Sequence, residues 1–129
     1  MVDIASVKAW LDAYVQAWKT YNQRAIGELF CEDASYSFHP FREPVRGRAA
    51  IVALWVDNSD PQGTYDGHYE PILIEGDRAV VHGRSLYFEQ DGKTLKTEFD
   101  NIFVLRFDDE RRCTEYQEWY IERPKGNSN

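Results

Sequence analysis

Residues 79–107 read AVVHGRSLYFEQDGKTLKTEFDNIFVLRF, and this stretch decides the class of fold. Ala79 to Gln90 is rich in Val, Leu, Tyr and Phe, and Lys93 to Phe107 has the same character, so both read as strands. Asp91-Gly92 lies between them and is a two-residue hairpin signal, because both residues tolerate positive φ. The strand character continues outward on both sides. Tyr69 to Ile74 forms one further strand, turned by Glu75-Gly76-Asp77, and Arg112 to Glu122 forms the last, reached through the acidic turn Asp108-Asp109-Glu110-Arg111. The loop before this block, Asp57 to Gly67 (DNSDPQGTYDG), is the only long one.

Upstream the period changes. Val7, Trp10, Leu11, Tyr14, Val15 and Trp18 recur at spacings of three and four, which predicts an amphipathic helix over 3–21 with Asp3 as its N-cap. Asn22 can cap a second, shorter helix that buries Ile26, Leu29 and Phe30 and stops near Asp33, where Ser35-Tyr36-Ser37-Phe38 turns to alternation. Pro40, Pro44 and Gly47 mark an irregular passage, and a third helix over 48–56 aligns Ile51, Leu54 and Trp55. Helices first and strands afterwards predict an α+β domain over 1–123, with helices packed on one face of a mostly antiparallel sheet and a frayed tail over 124–129. A wedge between helices and sheet is the default place for a ligand.

The chain has 129 residues, 43% of them apolar and 15% aromatic, enough to bury a core and exclude general disorder. Its formal charge of −7 and the absence of a Lys/Arg cluster argue against nucleic acid and anionic membrane as partners. No apolar run approaches a bilayer span, and Met1-Val2-Asp3-Ile4-Ala5 lacks the pattern of a signal peptide, so a cytoplasmic protein with Cys31 and Cys113 reduced is expected. His39, His68 and His82 lack short metal-ligand spacing, and no phosphate loop or nucleophile elbow occurs; no metal and no cofactor are expected.

Three segments, AYVQAWKTYNQRAIGELFCEDASY, FHPFREPVRGRAAIVALW and FDNIFVLRFDDERRCTEYQEWY, stand in an order that resembles the nuclear transport factor 2-like superfamily, in particular its SnoaL-like branch. The resemblance covers nearly the whole chain. It implies a cone-shaped fold in which three N-terminal helices pack on a curved sheet, and a homodimer through the outer sheet face. The scaffold hosts isomerases, epoxide hydrolases, cyclases, dehydratases and proteins without chemistry, so it implies a pocket more firmly than a reaction. Laid over ketosteroid isomerase, Tyr14 falls on the helix-1 tyrosine that bonds the substrate oxygen. His39 falls on the aspartate base before a proline, Trp55 on a supporting tyrosine, and Phe103 on the second oxyanion donor. One position of four keeps its residue type, so steroid isomerisation itself is not expected.

The resemblance also implies which side chains look inward: Phe99, Asn101, Phe103 and Leu105 on one strand, Tyr116, Glu118 and Tyr120 on the last, and Val80, His82, Arg84 and Leu86 on the strand before. Alternation propagates each placement along its strand, and a one-residue error inverts the set. His39 is then the candidate base, since imidazole titrates at roughly pH 6.5. Tyr14 is the candidate donor to a substrate oxygen, a contact worth about 3 kcal/mol at an oxyanion. Glu118 is a candidate acid/base or a partner for Arg84. Trp18, Trp55, His82, Asn101, Phe103, Tyr116 and Tyr120 complete the expected ligand-contacting set. Three readings stay open: a cofactor-free isomerase, cyclase or hydrolase acting on a small apolar molecule; a module that only binds such a molecule; and an assembly domain whose pocket is filled by Trp10, Trp18 and Trp55.

Overall fold

The computed structural model describes residues 1–125, so the tail expected over 124–129 lies, from residue 126 onward, outside the described residues. Helix α1 (Ile4–Thr20) starts where Asp3 forms a reciprocal capping box with Ser6: the Asp3 side chain accepts from the Ser6 N–H, and the Ser6 hydroxyl accepts from the Asp3 N–H. It ends at Tyr21, which takes a left-handed conformation (φ 49°) and returns its N–H to the Ala17 carbonyl. The stripe Val7, Trp10, Leu11, Tyr14 and Trp18 is buried as its spacing requires.

Helix α2 (Gln23–Glu28) is capped by Asn22, whose side chain accepts from the Ala25 N–H. It is shorter than its apolar pattern suggests. Phe30 already belongs to strand β1 (Phe30–Ser37), because the backbone there pairs with the end of the chain: Phe30 lies opposite Cys113, and the Cys113 N–H donates to the Leu29 carbonyl at 2.8 Å. A long-range pairing has overridden a local helical pattern. A two-residue strand, β2 (Val45–Arg46), forms inside the irregular passage, and α3 (Arg48–Asp57) follows.

The remaining strands are β3 (Tyr65–Glu75), β4 (Arg78–Phe88), β5 (Leu95–Phe107) and β6 (Cys113–Glu122). They form one sheet in the order β2-β1-β6-β5-β4-β3, antiparallel except where β1 runs parallel to β6. The architecture is α+β, with the helices packed against a six-stranded mixed sheet. Two further boundaries differ from expectation. Strand β3 begins at Tyr65, inside the expected loop, because Tyr65 pairs with Tyr87 and its hydroxyl reaches the Trp18 carbonyl at 2.6 Å. The β4–β5 connection is not a two-residue turn. Phe88 pairs with Leu95, and Asp91 ties the loop by accepting from the N–H groups of Lys93 and Thr94, both at 2.8 Å.

The core lies between α1, α3 and the inner sheet face. Trp10, Tyr14, Phe30, Phe103, Phe107 and Tyr116 all belong to it, and Trp10 satisfies its indole N–H on the Leu29 carbonyl at 3.0 Å. Burying each such aromatic stabilises the fold by roughly 1.5–3 kcal/mol before entropy.

Candidate functional site

Register decides which side chains meet. Val81 lies opposite Phe103, Gly83 opposite Asn101 and Ser85 opposite Phe99, while Phe103 lies opposite Glu118 and Asn101 opposite Tyr120. Directly opposed residues share a face, so Phe99, Asn101, Phe103, Tyr116, Glu118 and Tyr120 point inward as expected. The same register corrects β4: Val81, Gly83, Ser85 and Tyr87 look inward, and His82 and Arg84 do not. His82 and Arg84 instead hold Asp100 on the outer face, with His82 Nε2 2.9 Å from Asp100 Oδ1 and Arg84 Nε 3.0 Å from Asp100 Oδ2. The pairing of Arg84 with Glu118 therefore does not occur; Arg84 reaches Glu98 at 3.2 Å. Small residues at 83 and 85 were the available signal. A Cβ at position 83 would run into the Tyr69 side chain and the His68 carbonyl, so the inner face of β4 is left low for Tyr69 to lie across it.

Between helices and inner face lies a cavity of about 750 Å³. Aromatic side chains dominate its wall, among them Tyr14, Trp18, Trp55, Tyr69, Phe99 and Tyr120, and Ser85, Lys96, Thr97, Asn101 and Glu118 are polar residues that the sheet contributes. The tryptophans line the space and do not plug it; Trp10 is buried behind Tyr14, with which it stacks at 5.5 Å. Phe103 and Tyr116 are not themselves on the wall. They support it, with ring centroids 5.6 Å and 6.1 Å from that of Tyr14.

His39 stands elsewhere. It is not among the residues lining the cavity, its Nδ1 accepts the Phe41 N–H at 3.3 Å, and its ring packs on that of Phe41, which is 91% exposed. The imidazole and the Tyr14 phenol do not share a hollow. Pro40 positions the His39 backbone, but the chain after β1 carries the ring to the surface loop.

A single chain of hydrogen bonds runs through the floor of the cavity. Tyr116 donates its hydroxyl proton to Glu118 Oε1 at 2.7 Å, and Asn101 Nδ2 donates to Glu118 Oε2 at 2.8 Å. Ser85 donates to Asn101 Oδ1 at 3.0 Å, the Tyr69 and Ser85 hydroxyls are 2.6 Å apart, and the Tyr14 and Tyr116 hydroxyls are 3.0 Å apart. Five side chains from α1, β3, β4, β5 and β6 thus converge on one carboxyl. Burial pushes the Glu118 pKa above its ordinary 4.5, opposed by the bonds from Tyr116 and Asn101. Burial and the nearby Glu118 charge push the Tyr14 and Tyr116 phenols well above 10. Ser85 and Tyr69 were not among the residues expected from sequence. Ser85 is hidden by the one-residue inversion of β4, and Tyr69 by its place at the start of the expected strand.

Among the described residues no group of three His, Cys, Asp or Glu side chains is placed to hold a metal ion, and no helix is long and apolar enough to cross a membrane. Glu118 and Asp60 are the carboxylates on the cavity wall, and Asp60 is engaged by the Tyr21 hydroxyl at 3.2 Å near the rim.

A helix-covered mixed sheet with an aromatic cavity between its layers is an architecture of the nuclear transport factor 2-like kind. A sequence profile of the SnoaL-like domain matches residues 11–116, and the chain belongs to that family. Solved structures agree on the fold. The chain is similar to ActVI-ORFA from Streptomyces coelicolor (15% identity, 90% of this chain and 95% of that one, TM-score 0.70). It is also similar to an LEH-like epoxide hydrolase of M. tuberculosis (15% identity, 92% and 84%, TM-score 0.67). A third similar structure is a ketosteroid isomerase-like protein of Erwinia carotovora atroseptica (17% identity, 92% and 95%, TM-score 0.62). At these identities the likeness speaks for the fold alone. A search of curated proteins returned no match.

Proposed function

We propose that the protein takes a small, largely aromatic molecule into this cavity and catalyses a cofactor-free proton transfer, with Glu118 as the base. The carrying observation is the carboxyl itself: it is held at both oxygens, Oε1 by Tyr116 and Oε2 by Asn101, on a wall where aromatic rings predominate. A carboxylate whose pKa is raised by burial is a stronger base than one in water, and the two donors fix its direction. An isomerisation, cyclisation or hydration beginning with removal of a proton beside a carbonyl fits this arrangement. His39 has no part in it, and Trp18, Trp55, Phe99 and Tyr120 supply apolar walls that orient rings.

The test is hydrogen–deuterium exchange at the α carbon of 2-tetralone, followed by NMR in D2O. Glu118→Gln is expected to slow exchange by about 10²- to 10⁴-fold. Retention of the wild-type rate within tenfold overturns the assignment of the base. The rate should fall as pH drops through the raised pKa of Glu118, where the carboxylate takes up its proton.

A second reading, binding without turnover, is favoured by one specific observation. Every member of the hydrogen-bonded chain already has a partner, so the cavity floor is stable without chemistry. Wild-type protein that binds 2-tetralone and exchanges none of its protons would establish that reading.

We also propose a homodimer through the outer sheet face, on which Leu73, Trp119 and Ile121 are 63%, 43% and 75% exposed. The two free thiols, Cys31 and Cys113, support a reducing cytoplasmic setting.

A further inference from the structure

The hydrogen bonds around Glu118 have directions as well as lengths. With the carboxyl ionised, both of its oxygens only accept. Tyr116 therefore gives its proton to Oε1, and the 3.0 Å contact between the two phenols must be a donation from Tyr14 to Tyr116. On the other branch Asn101 gives an amide proton to Oε2 and Ser85 gives its proton to Asn101 Oδ1, so the 2.6 Å contact is a donation from Tyr69 to Ser85. Every proton in the chain points toward Glu118. The outermost phenols, Tyr14 and Tyr69, are left with lone pairs only, and neither can donate to a ligand.

The two branches respond differently to a proton on Glu118. The amide branch has fixed polarity, since Nδ2 carries no acceptor and Oδ1 no donor. A proton on Oε1 leaves Oε2 still accepting from Asn101. The phenol branch is reversible: Oε1–H now donates to Tyr116, Tyr116 turns its proton onto Tyr14, and the Tyr14 proton is released.

We propose that Glu118, acting through Tyr116 as a positioning residue, sets the hydrogen-bonding sense of Tyr14, so that the cavity accepts hydrogen bonds while the carboxyl is ionised and offers one once it is protonated. The inference rests on the cavity being the ligand site. In the reaction proposed above it has a direct consequence. As the substrate C–H bond breaks, its proton forms the O–H bond on Glu118 Oε1, its electron pair forms the C=C bond of the enolate, and the carbonyl π pair moves onto the oxygen. The same event frees Tyr14 to donate to that oxyanion. Tyr14 is then a donor to the intermediate and not to the resting ketone, which is stabilisation of the kind that lowers a barrier. Ligands that carry a hydroxyl donor suit the ionised form, and ligands with only a carbonyl acceptor suit the protonated one.

The phenols around the floor keep their protons between pH 4.5 and 8.5. Tyr116 on β6, Tyr14 on α1, Tyr36 on β1, Tyr69 on β3 and Tyr87 on β4 all have phenols raised above their ordinary 10 by burial. Asn101 on β5, Ser85 on β4 and Trp55 on α3 carry no charge in this range. Arg42, Lys96 and Asp60 line the cavity from outside the hydrogen-bonded chain, and no histidine lines it.

The experiment is equilibrium binding of two probes, 2-acetonaphthone (acceptor only) and 2-naphthol (donor and acceptor), read by quenching of tryptophan fluorescence from pH 8.5 to pH 4.5. In the wild type the ketone should tighten about five- to tenfold as pH falls, and the naphthol should change less than about twofold. Tyr116→Phe should keep ketone binding and lose its pH dependence. Glu118→Gln mimics the protonated acid, because an amide N–H facing Asn101 Nδ2 is unfavourable and the side chain must turn its donor to Tyr116. This variant should bind the ketone tightly at every pH. A ketone affinity that varies equally with pH in Tyr116→Phe overturns the proposal, as does a Glu118→Gln protein that binds it no better than wild type at pH 8.5. Neither outcome requires turnover, so both leave the choice of Glu118 as catalytic base to the exchange assay. Failure of both probes to bind at any pH overturns the switch together with the choice of cavity.

Discussion

The two faces of the sheet handle a carboxyl group in opposite ways. On the outer face, Asp100 lies between His82 and Arg84, and Glu98 between Arg84 and Arg123 (2.7 Å); hydrogen bonds, from Arg84 above all at Asp100 and from Arg123 above all at Glu98, hold both acids below their ordinary pKa. On the inner face, Glu118 has neutral partners and loses solvent, and its pKa rises. Asp100 and Asn101 are adjacent in sequence, yet one carries a solvated charge network and the other steadies a buried acid. The sheet's pleat is the whole difference: it places successive side chains in media of different dielectric.

The largest effect that probes this contrast is a pair of truncations one residue apart on β5. Phe103→Ala should cost about 3–5 kcal/mol, because its ring is fully buried against Tyr14, Tyr69 and Tyr116 and leaves a cavity. Ile102→Ala, on the outer face, should cost under about 1.5 kcal/mol. Urea denaturation of both variants measures this, and equal losses would mean that the outer face is covered.

A smaller effect distinguishes the two kinds of acid by the sign of their pH dependence. An acid with a raised folded pKa contributes stability below its ordinary value and loses it as pH rises through the folded value. Glu118→Gln should therefore gain in melting temperature over wild type at pH 7 relative to the same comparison at pH 4. Asp100 and Glu98 work in reverse, contributing above their ordinary 3.8 and 4.5 and losing that contribution as pH falls through their lowered values. An Asp100→Asn protein should accordingly differ from wild type at pH 7 and converge with it in strong acid.

The smallest expected effect comes from the residue that sequence placed at the centre. His39→Ala should leave 2-tetralone exchange unchanged and alter stability by no more than about 0.5 kcal/mol, since its ring lies outside the cavity wall and is held by the Phe41 N–H and ring. A large loss of exchange would show that the loop after β1 swings inward when ligand binds.

Local pattern was a reliable guide wherever one buried face dictated it. The three- and four-residue spacing of Trp10, Tyr14 and Trp18 and the caps at Asp3 and Asn22 all appear as read. The inward set of β5 and β6, including Asn101 and Glu118, also follows from alternation once one residue is placed. The reading failed where pairing between distant segments overruled local signal. Phe30 looked helical and is a strand residue because Cys113 stands beside it. The resemblance implies that His82 and Arg84 face inward, and their cross-strand partners Ile102 and Asp100 put them outside. His39 sat correctly before its proline, but the direction of its ring depends on a loop whose path no short-range rule sets.

Composition and period alone determined that this chain makes an aromatic-cored α+β fold with Tyr14 on a buried helix stripe, because burying a stripe requires only short-range repetition; that Glu118 faces inward is what the family resemblance implies, with alternation carrying the placement along the strand. Which inward groups touch was settled by the assembled sheet. The convergence of Tyr69, Ser85, Asn101, Tyr116 and Tyr14 on one carboxyl depends on the register of four strands and the seat of a helix. A hydrogen bond tolerates only a few tenths of an ångström, far less than periodicity can specify.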